Sequence, residues 1–347
     1  MNSCCVESPR GGKDEFVGMT AQVRTPMTRK KARRIGQLPA VCGEALAYLL
    51  ARVFVATIQT LPLDMADRGC RGLARLVVTG LGIRRRVTGE NLRAVFPDAT
   101  ADERRRLELA MWHHLLLMVC EIAWAQRRLH LCNWHRHMRF RGNRAMVECL
   151  LSGRPVVIVT GHFGNFEVGG YVTGLMGMPT TTIARKLDNR FLHRWVERFR
   201  QAKGQRMIDK EGCAPEAERH LRGGGTLSIL ADQHAGSKGC WVDFLGVPAS
   251  CHKALALFSL TAEAPMMAVY TRRIDGRPMQ FESGIVGVAD PRDDREGDCD
   301  SVTTLTTWYN RRLAESVAIA VEQYWWLHRR WRTPPPPVAR RLAKRAA

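Results

Sequence analysis

The stretch VVIVTGHFGNFEVGG, residues 156–170, predicts how the rest of the chain is organised. Its first four residues are Val, Val, Ile and Val, a β-branched run that is typical of a strand buried on both faces. Gly161 ends this run, and His162 and Glu167 lie just beyond it. Because ligands of open α/β sheets bind outside the carboxyl ends of the strands, the stretch offers a base and an acid where a substrate would arrive.

The spacing of His162 and Glu167 leaves two interpretations open. Residues five apart on a regular helix diverge by about 140°, so the two side chains meet only if the backbone between them turns. Gly164 and Asn165 are residue types that tolerate such a turn. If they meet, Glu167 can hold one ring nitrogen as N–H, and the other can accept a proton from an attacking hydroxyl. The alternative is a histidine at a helix start with a solvated glutamate.

The charge of the chain indicates an anionic partner. The formal net charge at pH 7 is +20 over 347 residues, and basic residues are concentrated in residues 1–34 and 329–347. Such a surface suits a nucleic acid or an anionic membrane surface, and charge alone does not choose between them. Because the sequence contains no nucleic-acid recognition module, we expect the membrane surface and no nucleic acid.

The cysteines indicate a reducing compartment. All eleven lack the paired spacing of a metal site, and the chain is too long and too cysteine-poor for a disulfide scaffold. We therefore predict a cytosol-facing protein without a metal site. The first thirty residues contain no continuous apolar segment of the kind that a cleaved secretory signal has. Residues 1–38 are expected to form a disordered basic arm.

An apolar run within residues 39–64 predicts a membrane-associated helix. Glu44 and Arg52 are the charged residues of the run AVCGEALAYLLARVFVATIQTL. Each charge would cost roughly 2.5–3.5 kcal/mol at the centre of a bilayer, so an interfacial helix is favoured over a spanning one. A buried core helix is the alternative.

Beyond residue 64 the pattern predicts an α/β fold with helices on the faces of a sheet. Thr100 and Glu103 form a capping-box pattern at the start of a long helix over 101–125, and Asp188 is expected to cap a later helix over 189–203. Residues 234–250 are expected to be a long loop, and residues 334–347 a Pro-rich basic tail with an extended spacer. The remaining expected strands are 180–186, 207–210, 226–233, 265–273 and 279–288, and the remaining expected helices are 66–82, 143–152, 214–222, 253–264 and 301–320.

The hexapeptide HFGNFE resembles the H-x-x-x-x-(D/E) signature of the lipid A biosynthesis acyltransferases, the lauroyl and myristoyl transferases of Gram-negative bacteria. Further blocks resemble that family in the same order, over about residues 40–337. They are RVTGENLRAVFPDAT, ARKLDNRFLHRWVERFR with MIDK, ADQ, FLGVPAS and EQYWWLHRRWRTPPPP. One departure is Val321, where the family usually has Pro.

The resemblance implies a glycerol-phosphate-acyltransferase-like mixed sheet flanked by helices, with residues 65–333 as the acyltransferase domain. It also implies an N-terminal membrane-associated helix at the cytoplasmic face of the cell inner membrane. The implied reaction moves a fatty acyl chain from acyl carrier protein or acyl-CoA to a glycolipid hydroxyl, without a further cofactor.

The resemblance also implies roles for individual residues. His162 is implied as the general base, Glu167 as the acid that orients it, and Arg185 as a contact to an acceptor phosphate. From the residues alone, Arg185 could equally be an ion-pair partner of Asp188. We expect backbone N–H groups near Gly164 or the following helix start to hold the oxyanion. The other residues expected at the substrate are Phe163, Gly164, Asn165, Asp232 and Gln233.

Two alternatives remain from the sequence. The glycerol-phosphate and lysophospholipid acyltransferases share H-x-x-x-x-D, but they usually have Asn before the His, where Gly161 stands here. A non-catalytic membrane- or nucleic-acid-binding basic protein would explain the charge but would need no proton-transfer pair.

The C-terminal residues Trp325, Trp326 and Trp331, with Arg329 and Arg330, could form an aromatic and basic belt at a membrane or could pack in the core.

Overall fold

A computed structural model of the chain describes residues 38–340. The predicted basic arm up to residue 37 and the last part of the predicted tail, 341–347, lie outside the described residues. The chain divides into two units between Ala45 and Leu46. Within the described range, the first unit therefore holds only the first turns of helix α1.

The described helices and strands follow one another in the order that the sequence predicts, with one helix and three strands in addition. The helices are α1 (Leu38–Thr60), α2 (Leu63–Arg75), α3 (Arg85–Val95), α4 (Ala101–Arg128), α5 (Asn143–Leu151), α6 (Phe166–Leu175), α7 (Arg190–Gln201), α8 (Ala214–Arg222), α9 (Ala254–Thr261) and α10 (Val302–Ile319), with a π-helical turn at Leu76–Leu81. The strands are β1 (Met138–Arg141), β2 (Val156–Thr160), β3 (Thr181–Ala184), β4 (Arg206–Asp209), β5 (Thr226–Leu230), β6 (Cys240–Phe244), β7 (Val247–Cys251), β8 (Met266–Arg273) and β9 (Phe281–Ala289).

Seven of these strands form one mixed sheet, which confirms the predicted α/β class. The order is β1-β9-β8-β2-β5-β3-β4, and every neighbouring pair is parallel except β8 and β9. Strand β2 lies at the centre, and its Val157 and Val159 are completely buried. The β-branched run was therefore a reliable signal, since a central strand covered on both faces needs apolar side chains on both.

The added strands are β1 and the two strands of the β6–β7 hairpin, and the added helix is α3. Residues 138–141 were not among the expected strands, and residues 234–250 were expected to be a long loop. The hairpin forms because Trp241, Val242 and Phe244 are buried, while Leu245 and Gly246 adopt the positive φ angles of a tight turn. Its glycine-rich flanks concealed this pattern in the sequence.

Helix ends were predicted with mixed accuracy. The capping box of α4 is present, with Thr100 N donating to Glu103 Oε2 at 2.7 Å and Glu103 N donating to Thr100 Oγ1 at 3.2 Å. The cap of α7 is Asn189, and the prediction of Asp188 was wrong by one residue. Residues 336–340 are helical where an extended spacer was expected, because proline is tolerated in the first turn of a helix.

Helices α1 and α4 are both long and apolar enough to cross a membrane, but their burial differs. About half of the most apolar window of α4 is buried in the protein, against 6% for α1. Helix α4 is therefore a core helix, whereas the buried-core alternative for α1 does not hold. The carboxyl end of α1 is attached to α4 through two hydrogen bonds, Gln59 Nε2 to Ala123 O at 2.7 Å and Trp124 Nε1 to Ile58 O at 2.8 Å.

Candidate active site

Two neighbouring parallel strands bring the candidate site together. Strands β2 and β5 pair in a register that sets Thr160 opposite Leu230. Each strand ends at that residue, and the second residue beyond each end is His162 in one case and Asp232 in the other. The carboxyl edge of the sheet therefore places these two side chains side by side, although they are 70 residues apart in sequence.

Asp232 holds His162 through two hydrogen bonds. The distance between His162 Nδ1 and Asp232 Oδ1 is 2.7 Å, and His162 N donates to Asp232 Oδ2 at 2.9 Å. An ionised carboxylate only accepts, so Nδ1 carries a proton, and in the neutral ring the lone pair is on Nε2. Burial of Asp232 opposes its ionisation, but the charge of His162 and the hydrogen bonds from it outweigh burial, so the pKa of the carboxyl lies well below its ordinary value.

Gly161 permits this approach. A Cβ atom at this position would lie 3.2 Å from Asp232 Cγ and 3.4 Å from its Oδ2, closer than most Cβ contacts. On the other side of the ring, the side-chain nitrogen of Gln233 lies 3.4 Å from His162 Nε2. The amide of Gln233 thus faces the lone pair that a substrate hydroxyl would approach.

Glu167 does not occupy the place that its spacing suggested. Its Oε2 accepts a hydrogen bond from Arg200 Nε at 3.0 Å, and Arg200 Nη2 donates to its Oε1. The carboxylate on His162 Nδ1 is that of Asp232, so the prediction that Glu167 orients the ring differs from the structure. The physical reason is that Glu167 lies in the first turn of α6, where it can reach Arg200 on α7.

A cavity of about 860 Å³ opens beside His162. Glu167, Arg185 and Gln233, three of the other polar residues predicted at the site, also line it. Much of the remaining wall is apolar and is formed by Met146, Ile158, Ile183, Leu230, Phe258 and Val269. The volume and the lining are suited to a long apolar ligand with a polar end near His162.

Comparison with known proteins gives the family. Residues 40–333 match the model described as bacterial lipid A biosynthesis acyltransferase. The chain belongs to this family. It is 24% identical over 286 residues to the lipid A biosynthesis lauroyltransferase of Escherichia coli (strain K12), an alignment that covers 77% of this chain and 85% of the relative. It is 25% identical over 258 residues to the palmitoleoyltransferase of the same strain and to a lipid A biosynthesis acyltransferase of Shigella flexneri, with 73% of this chain and 80% of each relative covered.

As a member of that family, the chain is an acyltransferase. Of the two possibilities left open for Arg185, the ion pair with Asp188 is present in the structure. Arg185 Nη2 lies 2.7 Å from Asp188 Oδ1, and the guanidinium also lines the cavity. Both side chains are at least three-quarters exposed, and exposed ion pairs contribute little free energy.

Three residues expected at the substrate instead build the turn of the acyltransferase. Phe163 is buried against Tyr270, and Asn165 caps α6 by accepting a hydrogen bond from Val168 N at 3.1 Å. Gly164 has a φ of 59°, and a side chain there would collide with the carbonyl of Thr271. The N–H of Gly164 donates to Gln323 O at 2.9 Å, so it is engaged and does not face a substrate.

Three aromatic rings pack near the imidazole of His162. The rings of Phe166 and Trp325 lie 5.2 Å from its centroid, and that of His328 lies 4.8 Å away. Burial, and next the charge of His162, lowers the pKa of His328 to about 4. His328 is therefore neutral near pH 7 and adds no positive charge beside His162. The sequence analysis did not single out His328, and its only signal was its place in the block EQYWWLHRRW.

For two members of the C-terminal set of tryptophans and arginines, the structure decides between a membrane belt and packing in the core. Trp326 and Arg330 are completely buried. Arg330 Nη1 donates to Gln233 O at 3.1 Å and to Ser250 O at 2.6 Å. The packing alternative holds for this pair, since the two terminal nitrogens of Arg330 find acceptors inside the protein, with Nη2 donating to Asn310 Oδ1 at 3.1 Å and to Cys251 Sγ at 2.8 Å. Arg330 thereby fixes the backbone of the residue that faces His162 Nε2.

Proposed function

We propose that this acyltransferase moves a fatty acyl chain from a thioester of acyl carrier protein or coenzyme A to a hydroxyl of a lipid A precursor or a related glycolipid. The observation that carries the proposal is the His162–Asp232 pair, whose histidine lines a largely apolar cavity. The names of the relatives, a lauroyltransferase and a palmitoleoyltransferase of lipid A biosynthesis, support an acyl chain as the transferred group.

In the proposed mechanism His162 is the general base. Its Nε2 takes the proton of the acceptor hydroxyl while the hydroxyl oxygen bonds to the thioester carbonyl carbon. The carbon–sulfur bond then breaks, and the thiolate leaves with the proton from the imidazolium. Asp232 stabilises the imidazolium and keeps Nδ1 protonated throughout. The first-turn N–H groups of α6, beside Phe166 and Glu167 on the cavity wall, supply the positive end of a helix dipole for the oxyanion.

We further propose that the protein works at the cytoplasmic face of the inner membrane. Leu46, Leu50 and Phe54 on α1 are each more than half exposed, which suits contact with lipid. A bilayer-bound enzyme can receive a lipid acceptor from the membrane and a thioester from the cytosol. Arg185, at the cavity and held by an exposed pair alone, is suited to a phosphate of the acceptor.

The test is transfer by purified protein in lipid vesicles, with acyl carrier protein and coenzyme A thioesters as separate donors. We expect H162A to lose at least about 10²-fold in kcat with either donor that the wild type uses, because the general base is gone. His220, at the opposite end of β5, bonds to Thr226 O at 3.1 Å and provides the control H220A, which should keep its activity.

Two results would contradict the proposal. One is an H162A protein that retains more than about a tenth of wild-type turnover. The other is a wild-type protein that acylates glycerol 3-phosphate or a lysophospholipid in place of the lipid A precursor, which would support the runner-up class of acyltransferase.

A further inference from the structure

A closed ring of hydrogen bonds lies behind the turn that carries His162. Its members are Glu121 and His114 on α4, Arg273 at the end of β8, and Gly164 and Asn165 in the turn. Arg273 Nε and Nη2 lie 2.7 Å from Glu121 Oε1 and Oε2, and Arg273 Nη1 lies 3.1 Å from His114 Nδ1. His114 Nε2 lies 3.2 Å from Gly164 O, and Asn165 Nδ2 donates to Glu121 Oε2 at 3.0 Å.

Donor and acceptor chemistry determines the direction of every bond in the ring. A guanidinium only donates, so His114 Nδ1 must accept from Arg273. His114 Nε2 then carries the proton and donates to Gly164 O. Burial, and next the charge of Arg273, lowers the pKa of His114 well below its ordinary value, which agrees with a neutral ring. The side-chain oxygen of Asn165 accepts from Val168 N, so its amide nitrogen is the atom that reaches Glu121.

The burial of the ring is unusual for charged groups. Glu121 and Asn165 are completely buried, His114 is 2% exposed and Arg273 is 4% exposed. Burying a carboxylate and a guanidinium is costly, and a core of similar volume made of apolar residues would serve stability as well. The ring therefore has a feature that apolar packing could not supply, namely directional contacts to the backbone and side chain of one turn.

A second set of contacts ties the same turn to the C-terminal segment. The Gln323 side chain accepts from Arg273 N and donates to Arg273 O, both at 2.8 Å. The backbone carbonyl of Gln323 accepts from Gly164 N at 2.9 Å. On the other side, Trp325 N donates to His162 O at 3.0 Å. The turn that follows the His162 N–H is thus held at His162 O by Trp325 and at Gly164 N by Gln323, which itself is bonded to Arg273.

We propose that Glu121, Arg273 and His114 are positioning residues for His162: they fix the turn so that Nε2 points to the cavity while Asp232 holds Nδ1. This inference rests on the proposed role of His162 as the base. None of the three residues lines the large cavity, so they act through the turn and not on the substrate. A shift of about 1 Å at a reacting atom can cost about 10²-fold in rate.

The experiment compares four variants of the full chain in lipid vesicles. H114L removes both hydrogen bonds of His114 but keeps an apolar side chain, whereas H114Q keeps an amide that can donate to Gly164 O. L117A truncates a completely buried side chain on the same helix that makes no hydrogen bond to the turn. It therefore serves as a control for the loss of stability expected in H114L. N165S retains a residue that caps a helix but cannot reach Glu121.

We expect H114L to lower kcat at least about tenfold while KM changes less than about threefold, since binding does not depend on the turn. H114Q should have most of the wild-type kcat. L117A should also keep the wild-type kcat, although its unfolding temperature is lowered about as much as that of H114L. If H114L does not fold, N165S provides the same test and should also lower kcat.

Equal kcat values for H114L, N165S and L117A would overturn the inference and leave the ring a purely structural feature. Loss of activity in H114Q equal to that in H114L would overturn it as well. A fully active H162A protein would instead contradict the proposed function, so the two failures can be told apart.

Discussion

The two carboxylates near His162 have different environments. Asp232, beyond the end of β5, is completely buried and bonds to both Nδ1 and the backbone N–H of His162. Glu167, in the first turn of α6, lies five residues from His162 but bonds to Arg200 on α7. The carboxylate that is remote in sequence is thus the one in contact with the ring.

The difference teaches that strand register outweighs proximity in sequence at this edge of the sheet. Parallel neighbours with matched ends bring their following residues together whatever the length of the connection. Helix α6 turns Glu167 toward the neighbouring helix instead. The family signature at residues 162–167 therefore contains one residue of the hydrogen-bonded pair, and β5 contributes the other.

Among variants that test the difference between Asp232 and Glu167, D232N is expected to lower kcat most. The amide of an asparagine would donate to Nδ1 and leave the proton on Nε2, where the base needs a lone pair. We expect kcat to fall about 10²–10⁴-fold with the fold retained. Turnover measured with the donor that the wild type prefers, together with circular dichroism, checks this. A D232N protein with near-normal turnover would assign Asp232 a structural role.

A smaller effect is expected from G161A. The added Cβ would press on the Asp232 carboxylate at 3.2 Å and shift it from His162. We expect kcat to fall about tenfold, because the ring loses its alignment. The control is G89A on α3, away from the cavity, whose Cβ would meet the flexible end of the Arg93 side chain at 3.5 Å, an ordinary contact. Equal activities of the two variants would show that the Asp232 carboxylate tolerates displacement.

The smallest effect is expected from the pair E167Q and R200Q. Each breaks the same ion pair on the cavity wall, so the two variants should lose activity to the same extent, about tenfold or less. Both should lose less than D232N, and the double variant should lose no more than either single one. If E167Q were as inactive as H162A while R200Q stayed active, Glu167 would have a role in the reaction beyond its pairing with Arg200.

Much of the fold could be predicted because its signals are local. The β-branched run at 156–159 gave the central strand, and Thr100 with Glu103 gave the start of α4, since both patterns act within a few residues. The strands that the sequence analysis missed depend on distant partners. Strand β1 exists because it pairs with β9, and the β6–β7 hairpin exists because Trp241 and Phe244 find a core to enter.

The sequence by itself determined the α/β class, the central strand, the exposed apolar helix before it and the place of His162 at a strand end. Those properties follow from periodicity, β-branching and turn residues, which are read along the chain. Only the tertiary structure decided that Asp232 and not Glu167 holds the imidazole, that Arg330 is buried, and that Glu121, Arg273 and His114 close a ring behind the turn. Each of these contacts joins residues separated by dozens of positions or more, so sheet register and helix packing, not local sequence, bring them together.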